Sequence, residues 1–392
     1  MSSAEPFIRH TRAEIVDMVA ADLPEDQRVP FLRFANLLIA WYHHAFHARL
    51  EQLKGDYQAM QGHASEDTLP LRFAETLDAV ARAANFTPIS REDLNRALAE
   101  ESVFRLRLFV DFDDFREIVF YGRGASQRKS TVATWFGLRS TEVNFTNYEH
   151  VLVFIRFQSE GHFDDPEALV FEPGSVVLKL FENIPKADLE MLFPNTRIRM
   201  RLTDKLVIGI PAFFSGLVIL TTKVGGSLLL AAALIAFWLG LRADPVTIDQ
   251  AGLVALMSGA GALGAYLWKQ FSNFKNRKIR FMKALAESLY FKNLDNHVGV
   301  LANLIDYAEE SECKEVLLAY GELIAAGPMD RETLRKSVER HLGGATAFDL
   351  PDALEKLHDL SLVTLSGTQF VAVPIDEAIA GVDARWDAIF EP

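Results

Sequence analysis

The sequence predicts a membrane-anchored α+β protein. It would consist of N-terminal helices plus a small antiparallel β-meander, a transmembrane helical hairpin, and C-terminal helices ending in a winged-helix-like unit. Apolar residues recur with a helical period near 3.6 up to Ser102 and with the strand period of 2 beyond it. Residues 224–241 and 251–268 are two uncharged apolar stretches. Residues 197–283 hold twelve basic and three acidic side chains, whereas the whole chain has a net charge of −13.

The charge distribution limits the classes of function. Acidic water-facing parts around a basic-edged apolar block are typical of a membrane protein. They argue against a nucleic-acid binder, whose basic residues would lie on a soluble domain. Cys313 is the single cysteine, so a disulfide framework within the chain is excluded and a cysteine-based metal site is not expected. Residues 1–26 contain six acids and no apolar stretch, which argues against a secretory signal or transit peptide there.

The N-terminal region, up to residue 102, is predicted to be helical. Apolar residues at i, i+3, i+4 and i+7 across residues 31–53 predict one long helix, which is broken at Gly55 and then by residues 61–67. A second amphipathic helix follows, with its apolar residues between Leu71 and Ala81 and its end near Asn85. Ser90 opens a capping-box-like pattern that predicts a short helix to about Glu101.

A β-rich α+β domain is predicted for residues 103–196. β-branched and aromatic runs between turn signals predict a meander of five or six short strands packed against the preceding helices. The runs are residues 103–110, 116–121, 130–136, 142–145, 150–157 and 175–181. Residues 185–193 are then predicted to form a short helix with Pro185 in its first turn.

The membrane region is predicted for residues 197–270. At a rise of 1.5 Å per residue, 18 residues span about 27 Å, close to the roughly 30 Å of the hydrocarbon layer. Residues 224–241 and 251–268 are therefore predicted spans, and residues 206–222 are either a third span or an interfacial or re-entrant segment. The positive-inside rule places both basic edges in the cytoplasm, which requires an even number of crossings. We favour two spans, with both water-facing parts on the cytoplasmic side.

Two further regions follow the block: juxtamembrane helices over residues 271–327 and a winged-helix-like unit over residues 328–392. Helical periodicity continues to about Asn293, and two helices are expected next, over residues 298–309 and 311–325. The last region shows two helical patterns and then a hairpin pattern around Gly367. Its second helix is acidic, so we expect protein contact or packing there and no DNA binding.

A glycine motif lies inside the second predicted span. Gly259, Gly261 and Gly264 match G-x-G-x-x-G, but a dinucleotide site also needs a preceding strand and an acid about 20 residues on. Residues 280–286 contain no acid. We therefore predict no cofactor. We expect small residues that let membrane helices approach closely, namely the pairs Ala260/Gly264 and Gly261/Ala265.

Two acidic clusters are weak candidates for catalytic residues. They are Asp111, Asp113 and Asp114, and then Asp164 and Asp165. Such carboxylates can transfer protons or hold Mg²⁺, and they also stabilise turns, so both interpretations stay open.

Histidines on the first long helix suggest a metal site only by their spacing. His43 and His47 are one helical turn apart, but no Glu stands beside them in an H-E-x-x-H arrangement. We predict no metal site.

Basic residues follow the second predicted span. They could contact anionic lipid headgroups at about 1 kcal/mol each, or could serve only to orient the chain. These residues are Lys269, Lys275, Arg277, Lys278, Arg280 and Lys283.

Three segments carry a family resemblance: residues 177–195, 276–281 and 289–296. They resemble an uncharacterised, membrane-anchored family that contains eukaryotic transmembrane protein 143 and bacterial and plant relatives. The resemblance covers most of the chain from about residue 90 onward. It implies membrane anchoring and no particular activity or catalytic residue. Because residues 1–26 do not look like a mitochondrial presequence, we expect a bacterial inner (plasma) membrane.

Two classes of function follow. The first is a membrane-tethered scaffold or regulatory protein whose partners are the bilayer, including anionic lipid, and an unidentified protein. The alternative is a membrane-surface enzyme that uses carboxylates of the β-rich domain. A transporter or channel is less favoured because the predicted spans hold no carboxylate. No nucleic-acid partner is expected, and the oligomeric state is left open.

Overall fold

A computed structural model describes residues 7–61, 68–94, 107–134, 139–199, 225–241, 250–344 and 346–389. The chain is a mixed α+β protein with N-terminal helices, an antiparallel sheet and C-terminal helices. It divides into two units. The first comprises Met1–Val103, Val110–Asn195 and Lys292–Pro392, and the second comprises Phe104–Phe109 and Thr196–Phe291.

Three N-terminal helices open the first unit: α1 (Arg12–Asp22), α2 (Glu25–Gln61) and α3 (Thr68–Ala83). The predicted break at Gly55 is wrong, because α2 continues to Gln61, where the second predicted break begins. Glycine costs only about 1 kcal/mol in a helix, and burial of Leu53 and Tyr57 on either side outweighs this cost.

The main sheet has the strand order β1-β3-β5-β6-β8, and β4 also pairs with β5; all of these pairings are antiparallel. Its strands are β1 (Thr87–Pro88), β3 (Phe115–Arg123), β4 (Ser126–Thr134), β5 (Arg139–Phe157), β6 (Val176–Pro185) and β8 (Asn293–Asn296).

Strand β5 is one continuous strand where the sequence predicted two. Its first half pairs with β4, and from Asn147 onward it pairs with β6. The polar stretch around Asn147 is thus the point where β5 exchanges partners, so no turn is needed there.

Each face of the sheet has its own cover. Phe154 on β5 packs against Phe73 of α3, with the ring centroids 5.4 Å apart. On the opposite face, Phe193 packs against Phe120 of β3 at 4.9 Å. Phe193 follows a 3₁₀ helix, Lys186–Leu192, where the sequence predicted a short helix.

Strand β8 was not predicted, because Asn293–Asn296 is short and mostly polar and shows no alternation. It pairs with β6 through Lys179↔Asn296 and Leu180↔Asp295. The backbone N–H of His297 donates to the carbonyl of Leu178 at 2.9 Å. Strands β6 and β8 therefore join the chain before residue 196 to the chain after residue 291.

A central helix, α6 (Val298–Ala326), packs against α1, α2 and α3. The prediction of two helices with a break near Ser311 is wrong. The side chain of Ser311 is buried, and the charged residues around it are paired inside the protein, as described below. At Gly321, any Cβ would collide with Val19 of α1, so glycine permits this close helix approach.

The C-terminal part adds β9 (Met329–Asp330), α7 (Arg331–His341), α8 (Leu350–Asp359), β10 (Val363–Ser366), β11 (Gln369–Ala372) and α9 (Ile375–Ala388). Its three strands form an antiparallel sheet in the order β10-β11-β9. Helices α7 and α8 pack on α6, and α9 packs on α2. The N-terminal and C-terminal parts therefore share one hydrophobic core with the main sheet.

The second unit contains a strand pair and two helices. Strand β2 (Arg107–Phe109) pairs antiparallel with β7 (Arg197–Arg199). The helices are α4 (Gly225–Trp238) and α5, which runs from Gln250 to Lys292 and joins the first unit at its last residue. The segments 206–222 and 242–249 lie outside the described residues.

One described helix is long and apolar enough to cross a membrane, judged by length and composition. It is the part of α5 from Gln250 to Asn273, and only 7% of its apolar window is buried. It includes the predicted span 251–268.

Candidate functional site

The acidic residues singled out from the sequence lie in turns. Asp111 caps a 3₁₀ turn by accepting from the N–H of Asp113 at 3.3 Å, and Asp114 accepts from the amide of Asn195 at 2.8 Å. Asp164 and Asp165 are exposed in the loop between β5 and β6. These contacts match turn chemistry, and a catalytic role for the five carboxylates stays a prediction.

The histidines of α2 do not converge on one point. His43 Nδ1 lies 2.9 Å from Glu309 Oε2, whereas the ring of His44 lies against Trp386. Across the described ranges, no group of three or more His, Cys, Asp or Glu side chains is placed to hold a metal ion.

The residues proposed for lipid contact and helix packing all lie on α5. Lys269, Lys275 and Lys283 are exposed, and Arg277, Lys278 and Arg280 belong to the same helix. Ala260 and Ala265 are exposed, and a Cβ added at Gly261 or Gly264 would meet no described atom within 4 Å. Lipid contact and helix packing therefore stay predictions.

A buried carboxylate pair was missed by sequence reasoning. Asp188 and Glu190 lie on the 3₁₀ helix Lys186–Leu192 and are only 4% and 2% exposed. Leu189, Met191 and Leu192, which lie between and after the two acids, are also buried. Packing of these apolar residues therefore buries Asp188 and Glu190 as well. Lys292, the last residue of α5, places its Nζ 3.7 Å from Asp188 Oδ2.

Burial sets the electrostatics of this pair. It raises the pKa of Asp188, an effect that the neighbouring Lys292 opposes. Burial, with the negative charge of Asp188 added, raises the pKa of Glu190 to about 7. A carboxyl group that titrates near neutral pH can donate or accept a proton under physiological conditions. The only available sequence signal was two acids within the apolar segment Ala187–Phe193.

A second polar cluster joins the sheet to the N-terminal segment and to α6. The guanidinium of Arg123 on β3 lies 4.4 Å from the ring centroids of both Phe7 and Tyr307. The hydroxyl of Tyr307 lies 3.2 Å from Nε2 of His150 on β5. Burial, with a smaller contribution from Arg123, lowers the pKa of His150 to about 4, so this imidazole is neutral at physiological pH.

The acids of α6 form a third cluster with a lysine from the C-terminal part. Lys356 of α8 donates to Glu315, lies 2.9 Å from Glu312 and donates to Asp352 at 2.6 Å. The amide of Asn85 donates to Glu315 at 3.1 Å. Burial lowers the pKa of Lys356, but the three carboxylates outweigh burial and the net shift is upward. The lysine is thus held as a cation inside a ring of acids.

A neighbouring contact joins the N-terminus to the same helix. Glu309 accepts from the guanidinium of Arg12 on α1 at 2.8 Å and contacts His43 of α2. These charged clusters attach α1, α2 and α8 to α6, so their main effect is to fix the parts of the first unit to one another.

Comparison with known proteins places the carboxylate pair inside a family match. Residues 148–299 match the model of a family described only as a protein of unknown function (DUF3754). This segment contains most of the second half of β5, all of β6, Asp188, Glu190, Lys292 and β8. No solved structure matches the chain. The chain therefore resembles an uncharacterised domain family over the segment that brings the carboxylates and Lys292 together.

Proposed function

We propose that this chain is a membrane-tethered scaffold or regulatory protein whose first unit lies on the cytoplasmic side of a bacterial inner membrane. The observation that carries the proposal is the antiparallel pairing of β6 with β8. This pairing, with the contact between Lys292 and Asp188, holds the chain ends on either side of residues 196–291 within one folded unit.

The topology follows from this pairing. A folded unit lies on one side of a membrane, so a chain that leaves it at Asn195 and returns at Lys292 must cross an even number of times. The part of α5 from Gln250 to Asn273 is long and apolar enough to supply one crossing, and residues 224–241 would supply the other. Residues 206–222 would then lie in the interface or re-enter. Basic residues on both edges of residues 206–268 agree with cytoplasmic ends.

The scaffold role rests on charge. Outside residues 197–283 the chain is strongly acidic, and α8 carries Asp352, Glu355 and Asp359. We propose that the region 328–392 acts as a winged-helix-like module that contacts an unidentified protein, because phosphate would be repelled. Lys269 to Lys283 would meanwhile contact anionic headgroups at about 1 kcal/mol per basic residue.

Cysteine accessibility in intact bacterial cells tests the topology. Cys313 is buried, which raises the pKa of its thiol to about 12. The native cysteine should therefore react little with a maleimide reagent, and labelling should report the introduced cysteine. A cysteine at Asp249 should react with a membrane-impermeant maleimide from outside. Cysteines at Gln369 and Glu172, both exposed in the first unit, should react only after the membrane is permeabilised.

Labelling of Gln369→Cys and Glu172→Cys from outside, or of Asp249→Cys only after permeabilisation, would overturn the cytoplasmic hairpin. Release of the chain by alkaline carbonate would overturn the membrane anchor.

Affinity purification in phospholipid nanodiscs then tests the scaffold role. A partner that is lost when Glu355 and Asp359, both exposed on α8, are changed to lysine supports it, and repeated recovery of the chain alone contradicts it.

A second candidate function is favoured by one observation: Glu190 titrates near pH 7 within a buried pair. In this alternative the chain is a membrane-surface enzyme in which Glu190 transfers a proton. Purified wild type and Glu190→Gln would be incubated with total lipid extract, and products compared by mass spectrometry. A product formed by the wild type and reduced at least tenfold in the variant supports the enzyme, and identical profiles contradict it.

A further inference from the structure

We propose that a cleft at one end of the main sheet binds a small, neutral, polyhydroxylated molecule, that is, a sugar or sugar-like polyol. The cleft lies beside β1, the start of β4, the middle of β5 and the start of the 3₁₀ helix after β6, and its volume is about 470 Å³. Small-molecule sites commonly occupy roughly 300–1,000 Å³. The residues that carry the argument are Asp93, Gln127, Thr146, Tyr148 and Lys186.

Among the described residues of the lining, Lys186 and Asp93 are the two charged side chains, and they have opposite charges. Lys186 Nζ donates to Asp93 Oδ1 at 2.9 Å. An anionic ligand would have to compete with Asp93 for the lysine, and a cationic ligand would have to compete with Lys186 for the carboxylate. A neutral ligand can use the polar atoms of the pair while leaving their mutual contact in place.

The remaining polar groups suit hydroxyl ligands. Gln127 Nε2 donates to Thr146 Oγ1 at 3.0 Å. That bond leaves the Gln127 carbonyl oxygen to accept and the Thr146 hydroxyl to donate. A hydroxyl group both donates and accepts, so adjacent hydroxyls of one sugar ring can satisfy both groups. A purely accepting or purely donating ligand can satisfy only one of them.

An aromatic ring is built into the same cleft. The ring of Tyr148 lies over Gly122, where a Cβ would stand 2.6 Å from Tyr148 Cε1. Glycine at position 122 is therefore what allows the ring to lie there. Tyr148 is only 9% exposed, so its ring contributes a limited apolar surface to the wall of the cleft. A C–H group of a pyranose or an inositol can pack on such a surface while the hydroxyls meet the polar groups.

Binding to the full chain in phospholipid nanodiscs tests the proposal. Maltoside detergents are avoided because their sugar headgroups would occupy the cleft. Titration calorimetry and ligand-observed NMR would use glucose, maltose and myo-inositol as neutral probes, with glucose 6-phosphate and glucuronate as charged counterparts. We expect saturable binding of at least one neutral probe, at least tenfold tighter than its charged counterpart.

Two substitutions and their matched controls locate the site. Thr146→Val and Gln127→Leu each remove one ligand hydrogen bond and should weaken binding by about five- to tenfold. Thr364→Val and Gln369→Leu make the same changes at exposed strand positions of the C-terminal sheet and should leave binding unchanged. Circular dichroism of all four variants checks that they are folded.

A competition experiment distinguishes a free sugar from a lipid-linked sugar as the natural ligand. Nanodiscs with and without a glycolipid would be titrated with the free sugar that binds. Loss of free-sugar binding in glycolipid discs identifies a lipid headgroup as the bound form, and unchanged binding identifies the free sugar. Absence of saturation by every neutral probe up to about 50 mM, well beyond millimolar affinity, overturns the proposal. So does equal binding of the charged counterparts, or binding that Thr146→Val leaves intact. The proposal does not depend on the membrane tether.

Discussion

Two long helices of this chain differ in which side chains they bury and which they expose. In α6, charged side chains are buried and each has a partner: Glu309 contacts Arg12, Lys314 contacts Glu310 and Glu315 contacts Lys356. In α5, from Gln250 to Asn273, apolar side chains are exposed, and Leu253, Met257, Leu267 and Trp268 are each more than half exposed.

The difference is explained if the two helices have different surroundings, water and protein for α6 and lipid for α5. Buried charges persist in α6 because opposite charges and hydrogen bonds replace the water that they lose. An exposed apolar surface on the scale of α5 is unfavourable in water and favourable in lipid. The same rule, that each group needs a surrounding that matches its polarity, explains both helices if α5 lies in a membrane.

The largest effect should come from removing the lysine in α6's acidic cluster. Lys356→Met leaves the buried Glu315 and the partly buried Glu312 without their cation, so we expect the free energy of unfolding to fall by about 3–5 kcal/mol. Thermal unfolding of the full chain in nanodiscs, followed by near-ultraviolet circular dichroism, measures the change.

Lys336→Met is the control for that substitution. Lys336 pairs with Glu332 at 3.2 Å on the exposed face of α7, where solvent screens the pair and its loss should leave the free energy of unfolding nearly unchanged. Equal effects of the two substitutions would show that the buried cluster does not depend on its lysine.

A charge placed on α5 should have the next largest effect. Met257 is 70% exposed, and Met257→Lys would cost about 2.5–3.5 kcal/mol if the position lies at the centre of a bilayer. We expect less of the chain in the carbonate-resistant membrane fraction. Val29→Lys is the control, because Val29 is 73% exposed on α2 and would stay in water. Unchanged membrane retention of Met257→Lys would indicate that this face of α5 is not in lipid.

Much of the fold could be predicted from the sequence, because local periodicity reflects which face of an element is buried. The change of period after Ser102 predicted helices before an antiparallel sheet, and both are observed. The errors occurred where contacts with residues far away in the sequence determine the secondary structure. Gly55 does not end α2 because neighbouring residues are buried against other elements, and β8 is a strand only because β6 lies beside it.

The candidate site was harder to predict for the same reason. The sequence drew attention to Asp111 and Asp164, which stand in polar turns, and not to Asp188 and Glu190, which stand among apolar residues. Burial, rather than clustering, changes a carboxyl group's chemistry here. That burial depends on the sheet face beneath Lys186–Leu192 and on Lys292, which lies far away along the chain.

The smallest predicted effect concerns this carboxylate pair and depends on pH. The pKa of Glu190 rises from 4.5 to about 7 in the folded chain, so the folded state retains a proton that the unfolded state loses. This contribution to stability is fully present below pH 4.5 and is lost as the pH rises through about 7. The pKa of His150 falls from 6.5 to about 4, so its contribution is present above pH 6.5 and is lost as the pH falls through about 4.

Between pH 4.5 and 6.5 these two contributions oppose each other, and Glu190→Gln removes only the first. We therefore compare the free energy of unfolding of the variant with that of the wild type. As the pH rises from 5 to 8, we expect the difference to change by about 2 kcal/mol in favour of the variant, measured by thermal unfolding at each pH. Glu172→Gln, at an exposed acid of the β5–β6 loop, should show no such gain. If the stability of Glu190→Gln depends on pH in the same way as that of the wild type, the Glu190 carboxyl of the folded wild type has an ordinary pKa. The contrast between buried and exposed charge would then hold for α6 but not for the carboxylate pair beside Lys292.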